Sequence, residues 1–273
     1  MDQLTGKVVM VTGAGSGIGK AAAAGFVARG ARVILVGRRQ LVLDEVAETL
    51  RKTGGEVWAR AADISKKEEI GALVTWANSE LGGVDILVNN AGSASKTLNA
   101  RWIEEEEWEQ VQDVNMKAVF LLTQALLPAM LARQNGTIIT VSSLAALRPN
   151  LLGGAAYGAA KAAARNFMTY LHNTFRNDGI RATCILPGEV NTPIMDNRAC
   201  PPAQAIRDRM VQPEDVAEAI LLCAGLPPRT VIEELIVAPT FLRDVSADIE
   251  ASRWKNAPAD CAAERESHQK GEL

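Results

Sequence analysis

The sequence has 273 residues, of which 48% are hydrophobic, 22% charged and 4% aromatic, a composition typical of globular proteins. This length permits one large α/β domain or two smaller ones and excludes a small scaffold held together by disulfides. The 29 basic and 32 acidic residues give a net charge of −3. No basic field is therefore available for a phosphate backbone, and we expect no nucleic-acid partner.

The sequence predicts neither a membrane partner nor a secretory signal. The longest uncharged stretch, 118–132, has fifteen residues and contains Pro128, which makes it too short and too interrupted for a bilayer span. The N-terminus has an early acid and no long apolar core. The four cysteines lack CxxC spacing, so we expect thiols, no metal site and a cytoplasmic location.

Short β-branched runs alternate with segments of helical period. Predicted strands lie at 7–12, 32–36, 56–61, 85–89, 137–142, 180–186 and 231–237. Predicted helices lie at 20–29, 41–52, 66–81, 105–132, 156–177 and 214–224. Near-continuous apolar strands between helices predict one doubly wound α/β domain, with a seven-stranded parallel sheet and helices on both faces.

This alternation ends at Pro239, so we divide the chain into a domain of residues 1–240 and a C-terminal extension of residues 241–273. A short helix is predicted around 244–254, before a polar terminus of mixed charge. Two interpretations of the extension stay open. It is either a frayed tail or an arm that docks on a partner subunit through Trp254.

A glycine-rich turn follows the first predicted strand directly. The segment Thr12-Gly-Ala-Gly-Ser-Gly-Ile-Gly-Lys20 leads into an alanine-rich helix. Glycines let the backbone approach a pyrophosphate, and the helix N-terminus offers N–H groups to the anion. A tight turn is the simpler alternative, but four glycines within seven residues favour a dinucleotide-binding, Rossmann-type domain. The predicted contacts are Gly13, Gly15, Ser16, Gly17 and Gly19.

The second predicted strand leads into Gly37-Arg38-Arg39, where a fold selecting NAD(H) places an acid. Guanidinium groups match the oxygens of a 2′-phosphate and stack on adenine. NADP(H) is therefore the preferred cofactor and NAD(H) a possible one; alternatively, both arginines are solvated at a helix start. Asp63 either accepts a hydrogen bond from the adenine amino group or caps the helix beginning near residue 66.

Tyr157 and Lys161 form an i, i+4 pair on one face of a predicted helix. A nearby ammonium favours phenolate and lowers the phenol pKa, which makes Tyr157 a usable proton donor and acceptor. Alone, such a pair is more often a surface lysine leaning on a ring. Ser142 and Ser143 end the fifth predicted strand, where a hydroxyl can orient a substrate oxygen at the sheet crevice.

From Leu4 to about Pro239 the sequence resembles the short-chain dehydrogenase/reductase family. The matching motifs, in order, are Thr12-Gly-x3-Gly-Ile-Gly19, Asp63, Asn89-Asn-Ala-Gly92, Val114-Asn115, Ser143, Tyr157-x3-Lys161 and Pro187-Gly-x-Val-x-Thr192. The resemblance implies hydride transfer between NADP(H) and a small-molecule carbonyl or secondary alcohol. The alternative is a catalytically silent NAD(P)-binding regulator or scaffold of the same fold.

The resemblance also implies roles for individual residues. Tyr157 would be the general acid/base, and Ser143 would hydrogen-bond the substrate oxygen. Lys161 would lower the pKa of Tyr157 and hold the nicotinamide ribose, while Asn115 would anchor a water that links Lys161 to solvent. Asn90 would tie neighbouring strands together. Further cofactor contacts would come from Ile18, Ile64, Asn89, Ala91, Gly92, Pro187, Gly188, Val190 and Thr192. The family further implies a homodimer or homotetramer, formed through helices 105–132 and 156–177.

One departure from the family pattern concerns the catalytic serine. Fourteen positions separate Ser143 from Tyr157, one more than the family pattern, so either the loop has an inserted residue or Ser142 competes for the role. Ser143 is preferred, because the family offers the second hydroxyl of this pair.

Substrate contacts are expected from residues 93–97, 144–152 and 194–198 and from Glu189. Arg148 is either a carboxylate ligand or a solvated loop residue. The short connection between Thr192 and Pro213 predicts an open pocket.

Overall fold

Seven parallel strands form one sheet in the order β3-β2-β1-β4-β5-β6-β7. The computed structural model describes residues 3–270, apart from the side chains of Asn197, Gln269 and Lys270. The strands are β1 (Val8–Thr12), β2 (Arg32–Gly37), β3 (Val57–Ala61), β4 (Ile86–Asn89), β5 (Gly136–Val141), β6 (Ile180–Pro187) and β7 (Glu234–Val237). The predicted fold class is confirmed, although β7 begins three residues later than its apolar run suggests.

Helices connect or follow these strands throughout the described part of the chain. They are α1 (Gly17–Ala28), α2 (Gln40–Arg51), α3 (Lys67–Leu81), α4 (Glu105–Gln112), α5 (Ala118–Ala132), α6 (Ala155–Phe175), α7 (Gln204–Arg207), α8 (Pro213–Gly225), α9 (Ser246–Arg253) and α10 (Ala262–Lys270). The long helix predicted at 105–132 is divided by a π-helical turn at Asp113–Lys117.

The strands are apolar along their whole length because helices cover both faces of the sheet. In β1, Val9 belongs to the core under α1, α2 and α8, which includes Phe26. Its neighbour Met10 belongs to the opposite core under α3, α5 and α6, which includes Leu126 and Met168. Alternation along each strand thus fills two hydrophobic cores, one on each side of the sheet.

By length and composition, the continuous helical run 105–132 is apolar enough to cross a membrane, with a mean hydropathy of 1.5. The uncharged part of this run, residues 118–132, is too short to span a bilayer, so the sequence did not predict this property. The apolar side chains have a place in the fold, because Leu122, Leu126 and Met130 are buried against the sheet. Core helices of globular proteins commonly have this composition, so the run is weak support for a membrane span.

The chain reverses direction across the sheet at β1, which pairs with β2 on one side and with β4 on the other. Crossovers that start on either side of this point leave a crevice outside the carboxyl ends of the strands. The ends of β1, β4, β5 and β6 all lie at this edge, since the strands are parallel. The fold therefore gathers Thr12, Asn89, Val141 and Pro187 along one rim.

The C-terminal extension, residues 241–270 of the described chain, packs on the chain's own surface. Trp254 is only 7% exposed and stacks on Trp102, with ring centroids 6.4 Å apart. The Trp102 indole N–H donates to the carbonyl of Arg253 at 3.1 Å, and Arg101 pairs with Glu264. The described part of the extension is therefore packed and not frayed, and Trp254 contacts Trp102 of its own chain; docking of the extension on a partner subunit stays a prediction. The sequence around Trp254 did not reveal its contact with Trp102, because that residue lies about 150 residues away along the chain.

Candidate active site

The glycine loop between β1 and α1 leaves no room for side chains at two positions. Gly13 has a φ of +66°, and a Cβ there would lie 2.9 Å from the Cα of Ala91. A Cβ on Gly19 would lie 2.4 Å from the Gly13 carbonyl oxygen. Ser16 precedes α1, is exposed, and does not use its side chain to cap the helix. The loop thus presents bare backbone and a free hydroxyl at a helix N-terminus, which fits a dinucleotide pyrophosphate.

Asn90 ties the ends of β1 and β4 together, as expected. Its side-chain amide donates to the Thr12 carbonyl at 2.9 Å. The Thr12 hydroxyl accepts the backbone N–H groups of Asn90 and Ala91, both at 3.0 Å, and donates to the Val88 carbonyl at 3.3 Å. This hydrogen-bond network fixes the crevice between the two strands.

Arg38 and Arg39 lie exposed where β2 meets α2. The ends of β2 and β3 are adjacent, since Gly37 pairs with Ala61, and this brings Asp63 close to Arg38. The Asp63 carboxylate accepts hydrogen bonds from the Ser65 hydroxyl at 2.7 Å and the Ser65 N–H at 3.0 Å. These bonds lower the pKa of Asp63, and the Arg38 charge acts in the same direction. Asp63 thus organises the turn before α3, while both arginines face solvent beside it.

Lys161 is the buried cation of the site. Its side chain is in α6, only 4% of the residue is exposed, and its ammonium donates to the carbonyl of Val141 at 2.9 Å. Burial lowers the pKa of Lys161 to about 8, because desolvation disfavours the charged form. The ammonium lies 5.6 Å from the ring centroid of Tyr157.

Asn115 lies in the π-helical turn and is completely buried. Its amide donates to the carbonyls of Val111 at 2.8 Å and Ser93 at 2.9 Å, which fixes its orientation. A Cβ on Gly92 would lie 2.9 Å from the Asn115 side-chain oxygen and 3.4 Å from the Lys161 nitrogen. Gly92 therefore separates the two side chains without filling the space between them.

The two serines after β5 have different surroundings. Ser142 is buried, and its hydroxyl donates to the Lys161 carbonyl at 2.9 Å. The hydroxyl of Ser143 accepts the Ala145 N–H at 3.1 Å and lies near enough to Tyr157 to influence the pKa of its phenol. The geometry therefore favours Ser143 over Ser142 for substrate contact, in line with the preference from the sequence.

The pKa of Tyr157 is shifted in the direction opposite to the prediction. Burial raises the pKa of this phenol, although the neighbouring Ser143 hydroxyl and the charge of Arg198 both act to lower it. The lowered phenol pKa that the sequence led us to expect is therefore not found, because desolvation is the largest effect on this group. Tyr157 is thus held in its protonated, proton-donating form.

The remaining predicted cofactor residues divide into two groups. Some lie at the crevice: the Thr192 methyl group would lie 3.1 Å from a Cβ on Gly17, and Gly188 follows Pro187 at the end of β6. Val190, which forms a bridge with Val211, lies in the same connection. Others have contacts within the fold that also explain why these residues are present. Ile18 and Ile64 lie against the two cores, Asn89 donates to the Thr140 hydroxyl, and a Cβ on Gly15 would meet Val42.

Comparison with known proteins identifies the family. A family model described as short chain dehydrogenase matches residues 7–201. The chain belongs to the short-chain dehydrogenase family. An uncharacterized oxidoreductase of Staphylococcus aureus (strain USA300) is 34% identical over 239 residues, which cover 88% of this chain and all of that protein. This short-chain dehydrogenase is thus an oxidoreductase, and its predicted family is confirmed.

Solved structures of similar proteins contain nicotinamide cofactors. A metagenomic short-chain oxidoreductase in complex with NADP has a TM-score of 0.76 and 34% identity, covering 88% of this chain and 100% of that one. A 3-ketoacyl-(acyl-carrier-protein) reductase from Brucella melitensis, complexed with NADH, has a TM-score of 0.77 and 33% identity, covering 86% and 98%. These similarities support a nicotinamide cofactor for this dehydrogenase.

Four charged side chains at the rim of the site were not recognised together from the sequence. Arg243 binds the Glu189 carboxylate at 2.8 and 2.9 Å and Asp248 at 2.8 Å. Arg198 lies 3.5 Å from Glu189 and 3.9 Å from Asp248, and its charge reaches Tyr157. Glu189 and Arg198 fell within the expected substrate segments. Arg243 and Asp248 carried no local signal, because they belong to the extension.

The extension and Glu107 also hold residues 93–97, which the sequence predicts to contact the substrate. The Glu107 carboxylate accepts hydrogen bonds from the N–H groups of Lys96 at 2.6 Å and Thr97 at 2.8 Å. The sequence did not reveal this role, because Glu107 belongs to an acid-rich run at the start of a helix. The Thr97 hydroxyl accepts a hydrogen bond from Asn256 at 3.0 Å. The extension thus contacts one of the segments predicted to meet the substrate, and the open pocket stays a prediction. Arg148 is exposed, as a solvated loop residue would be.

Proposed function

We propose that this short-chain dehydrogenase interconverts a carbonyl compound and a secondary alcohol with NADP(H). The observation that carries the proposal is the grouping of the Ser143 hydroxyl, the Tyr157 phenol and buried Lys161, whose ammonium lies 5.6 Å from the Tyr157 ring centroid. These groups lie at the carboxyl edge of the sheet, next to the glycine loop. Carbonyl reduction requires one group that orients the substrate oxygen, one that transfers a proton to it and one that supplies positive charge.

The chain's own groups perform the proton chemistry. Ser143, itself held by the Ala145 N–H, donates to the substrate oxygen and stabilises the negative charge that develops there. Tyr157 donates its proton to that oxygen during reduction and takes it back during oxidation. The raised pKa of Tyr157 keeps the phenol protonated at neutral pH, which suits the reductive direction.

Lys161 and Asn115 support this transfer. The Lys161 ammonium, 5.6 Å from the Tyr157 ring centroid, stabilises the phenolate that remains after the proton has left. Asn115 has its amide donors engaged by Val111 and Ser93, so its orientation is fixed. We assign to Asn115 the anchoring of a water through which Lys161 exchanges protons with solvent.

NADP(H), when bound, supplies or accepts the hydride at the substrate carbon. The glycine loop, with Ser16 and the N-terminus of α1, would hold its pyrophosphate, and Lys161 its nicotinamide ribose. Arg38 and Arg39 would bind the 2′-phosphate, and Asp63 would face the adenine. The remaining contacts would come from Ile64, Asn89, Ala91, Gly92, Pro187, Gly188, Val190 and Thr192. Because similar structures contain NADP in one case and NADH in another, the preference for NADP(H) depends on the arginines.

A matched pair of tyrosine variants tests the mechanism, since the chain has only two tyrosines. Wild type, Tyr157→Phe and Tyr170→Phe are assayed on a panel of aldehydes and ketones with NADPH. We expect Tyr157→Phe to lower kcat/KM by about 10²–10⁴-fold while NADPH binding, followed by fluorescence, persists. Tyr170 is 56% exposed, and its variant should match wild type.

Two results would contradict the assignment. Equal turnover by wild type and Tyr157→Phe would remove Tyr157 as the proton donor. NADPH binding without turnover of any substrate on the panel would favour the catalytically silent alternative. The presence of Asn115, Ser143, Tyr157 and Lys161 argues against that alternative.

Cofactor preference is tested with Arg38→Ala and with Arg229→Ala, another exposed arginine. Loss of a charge-assisted hydrogen bond to phosphate predicts an about 10- to 100-fold fall in the NADPH/NADH ratio of kcat/KM for Arg38→Ala. Arg229→Ala should keep the wild-type ratio. Similar kcat/KM values with both cofactors, unaffected by Arg38→Ala, would refute the role of the arginines.

The proposal includes residues 1–240 as the catalytic domain and a homodimer or homotetramer formed through α4, α5 and α6. Phe120 on α5 is 38% exposed and Tyr170 on α6 is 56% exposed, which gives these helices apolar outer surfaces. Sedimentation as a single monomer would contradict the assembly. A cytoplasmic location stays a prediction.

A further inference from the structure

The C-terminal extension joins two segments that lie at the carboxyl edge of the sheet. Arg243 forms an ion pair with Glu189, with nitrogen–oxygen distances of 2.8 and 2.9 Å, and Glu189 lies just beyond β6. The side-chain amide of Asn256 donates to the Thr97 hydroxyl at 3.0 Å, in the β4 segment (residues 93–98), which follows β4. Helix α9 lies between these two contacts in sequence, and its eight residues make it about 12 Å long.

The two segments flank the strand that leads to Ser143, because β5 lies between β4 and β6 in the sheet. Further contacts hold the extension beside the β4 segment. The carbonyl of Arg253 accepts hydrogen bonds from the side chains of Asn99 and Trp102, both at 3.1 Å. The ring of Trp254 stacks on that of Trp102. The extension therefore bridges the two sides of β5 and is fixed where it meets the β4 segment.

Asn256 has a backbone conformation that few side chains adopt. Its φ is +63°, and Gln134 is the other non-glycine residue with a positive φ in the described part of the chain. Asparagine tolerates the left-handed region better than most residues do. Such conformations persist where the surrounding contacts determine them, and the hydrogen bond to Thr97 is such a contact. The turn after α9 thus directs the Asn256 amide to the β4 segment.

The β4 segment is itself bonded to two elements of the site. At one end, the Ser93 N–H donates to the side-chain oxygen of Asn115 at 3.3 Å, and the Asn115 amide donates to the Ser93 carbonyl at 2.9 Å. At the other end, the Leu98 carbonyl accepts the N–H of Ala155 at 3.1 Å. Ala155 is the first residue of α6, two positions before Tyr157. The β4 segment thus connects the π-helical turn with the start of the helix that carries the proton donor.

The β4 segment also has a support that does not involve the extension. The Glu107 carboxylate accepts hydrogen bonds from the backbone N–H groups of Lys96 and Thr97. Thr97, only 5% exposed, is therefore held through its backbone by Glu107 and through its hydroxyl by Asn256. Because the first support remains when the second is lost, removal of the Asn256 amide should displace the segment without unfolding it.

We propose that Asn256 is a positioning residue for proton transfer and that the C-terminal extension acts on the site through it. By holding Thr97, Asn256 keeps the β4 segment where it orients Asn115 and the first turn of α6. The kinetic part of this inference rests on the proposed function. The family match ends at residue 201, so this contribution to the site comes from a part of the chain outside that match.

The test uses the full-length enzyme and the ketone or aldehyde of the panel that it reduces best. Asn256→Gly removes the amide but keeps the turn, because glycine adopts a positive φ without strain. Loss of one hydrogen bond predicts a fall in kcat of about 2- to 10-fold, with unchanged KM for the substrate and unchanged Kd for NADPH. Gln134→Gly is the matched control. Gln134 is exposed, has a φ of +48° and lies just before β5, at the opposite edge of the sheet, so its variant should have the wild-type kcat.

Two further variants show whether the hydrogen bond itself is responsible. In Asn256→Asp, the Thr97 hydroxyl can donate to the new carboxylate, so this variant should recover most of the wild-type kcat. Thr97→Val removes the hydroxyl and keeps a side chain of similar shape. Because both partners act through one bond, the double variant Asn256→Gly/Thr97→Val should be no slower than the slower single variant. General destabilisation would give neither the recovery nor this lack of additivity.

Hydrogen exchange provides a measurement that does not depend on turnover. Trp254→Ala removes the stacked ring and should release the extension. If the extension holds the β4 segment, amide exchange in this variant should become faster in peptides that cover the β4 segment and residues 113–117, as well as in residues 241–270. In Gln134→Gly, exchange in these peptides should match that of the wild type.

The outcomes separate this inference from the proposed function. Wild-type kcat in both Asn256→Gly and Trp254→Ala, in an active enzyme, would overturn the positioning role and leave the proposed function intact. A rise in KM with unchanged kcat would also overturn it, since the effect would then lie in substrate binding. Faster exchange confined to residues 241–270 in Trp254→Ala would show that the extension does not support the site. A wild type that reduces nothing on the panel would refute the proposed function, and the role of Asn256 in proton transfer with it.

Discussion

Replacing Gly19 by alanine tests whether close backbone packing, and not helix propensity, determines the residue at this position. Gly19 lies inside α1, where alanine normally stabilises a helix by about 0.5–1 kcal/mol relative to glycine. Its Cβ, however, would lie 2.4 Å from the Gly13 carbonyl oxygen and 2.5 Å from the Asn90 side-chain nitrogen. The loop would have to move by about 1 Å to restore ordinary contact, and such overpacking costs about 1–3 kcal/mol.

The expected net loss for Gly19→Ala is therefore about 1–2 kcal/mol, which corresponds to a fall of several degrees in thermal midpoint at this chain length. Because the displaced groups are Gly13 and its tie to Asn90, we also expect the Kd for NADPH to rise about tenfold or more. That rise equals about 1.4 kcal/mol of binding energy. Thermal melts without cofactor and a fluorescence titration with NADPH measure the two effects separately.

Gly71→Ala is the matched control, because Gly71 is an exposed glycine inside α3 whose Cβ would meet nothing within 4 Å. It should raise the thermal midpoint by a degree or two, consistent with about 0.5–1 kcal/mol, and leave the Kd unchanged. If Gly19→Ala instead melts as high as Gly71→Ala and binds NADPH as wild type does, the argument from close packing is refuted.

Three more predictions follow from the site and the extension. Since burial lowers the pKa of Lys161 to about 8, its charge is present below that pH and lost above it. A kcat/KM profile for ketone reduction should fall with a midpoint near this value, and a flat profile from pH 7 to 9.5 would count against the cationic role. Ser143→Ala should lower kcat by about 10²-fold. Ser142→Ala should mainly cost about 0.5–1.5 kcal/mol of stability in denaturant melts, because it loses the bond to the Lys161 carbonyl; the reverse pattern would reassign the serines. Trp254→Ala removes a stacked, nearly buried ring and should expose residues 241–270 to limited proteolysis, whereas unchanged resistance would show that the other contacts suffice.

The fold was predictable because its signals are local. Apolar runs such as 85–89 and the glycine turn after Thr12 identify strand ends and crossovers without knowledge of distant contacts. The Tyr157 and Lys161 pair was predictable for the same reason, since four positions on a helix bring two side chains to one face. Helix boundaries were correct to within a few residues, as for α6, which spans Ala155–Phe175.

What the sequence did not predict depends on contacts between distant residues. The π-helical turn around Asn115 interrupts a run whose composition suits one continuous helix. The direction of the Tyr157 pKa shift depends on how much water the fold removes, and no motif encodes that quantity. The ion pair between Glu189 and Arg243 spans 54 residues, and it has no periodic pattern that could identify it.

The docked extension has a practical consequence for handling the protein. Its final helix, α10, contributes Glu264 to the pair with Arg101 and His268 to the contact with the Trp254 ring, 5.8 Å between centroids. An affinity tag or reporter fused after residue 273 would thus adjoin a helix that contacts Arg101 and Trp254. The start of β1 lies at the opposite, amino-terminal edge of the sheet. A fusion partner placed before it leaves the carboxyl edge of the sheet clear, and activities measured with the two kinds of fusion should not be treated as interchangeable.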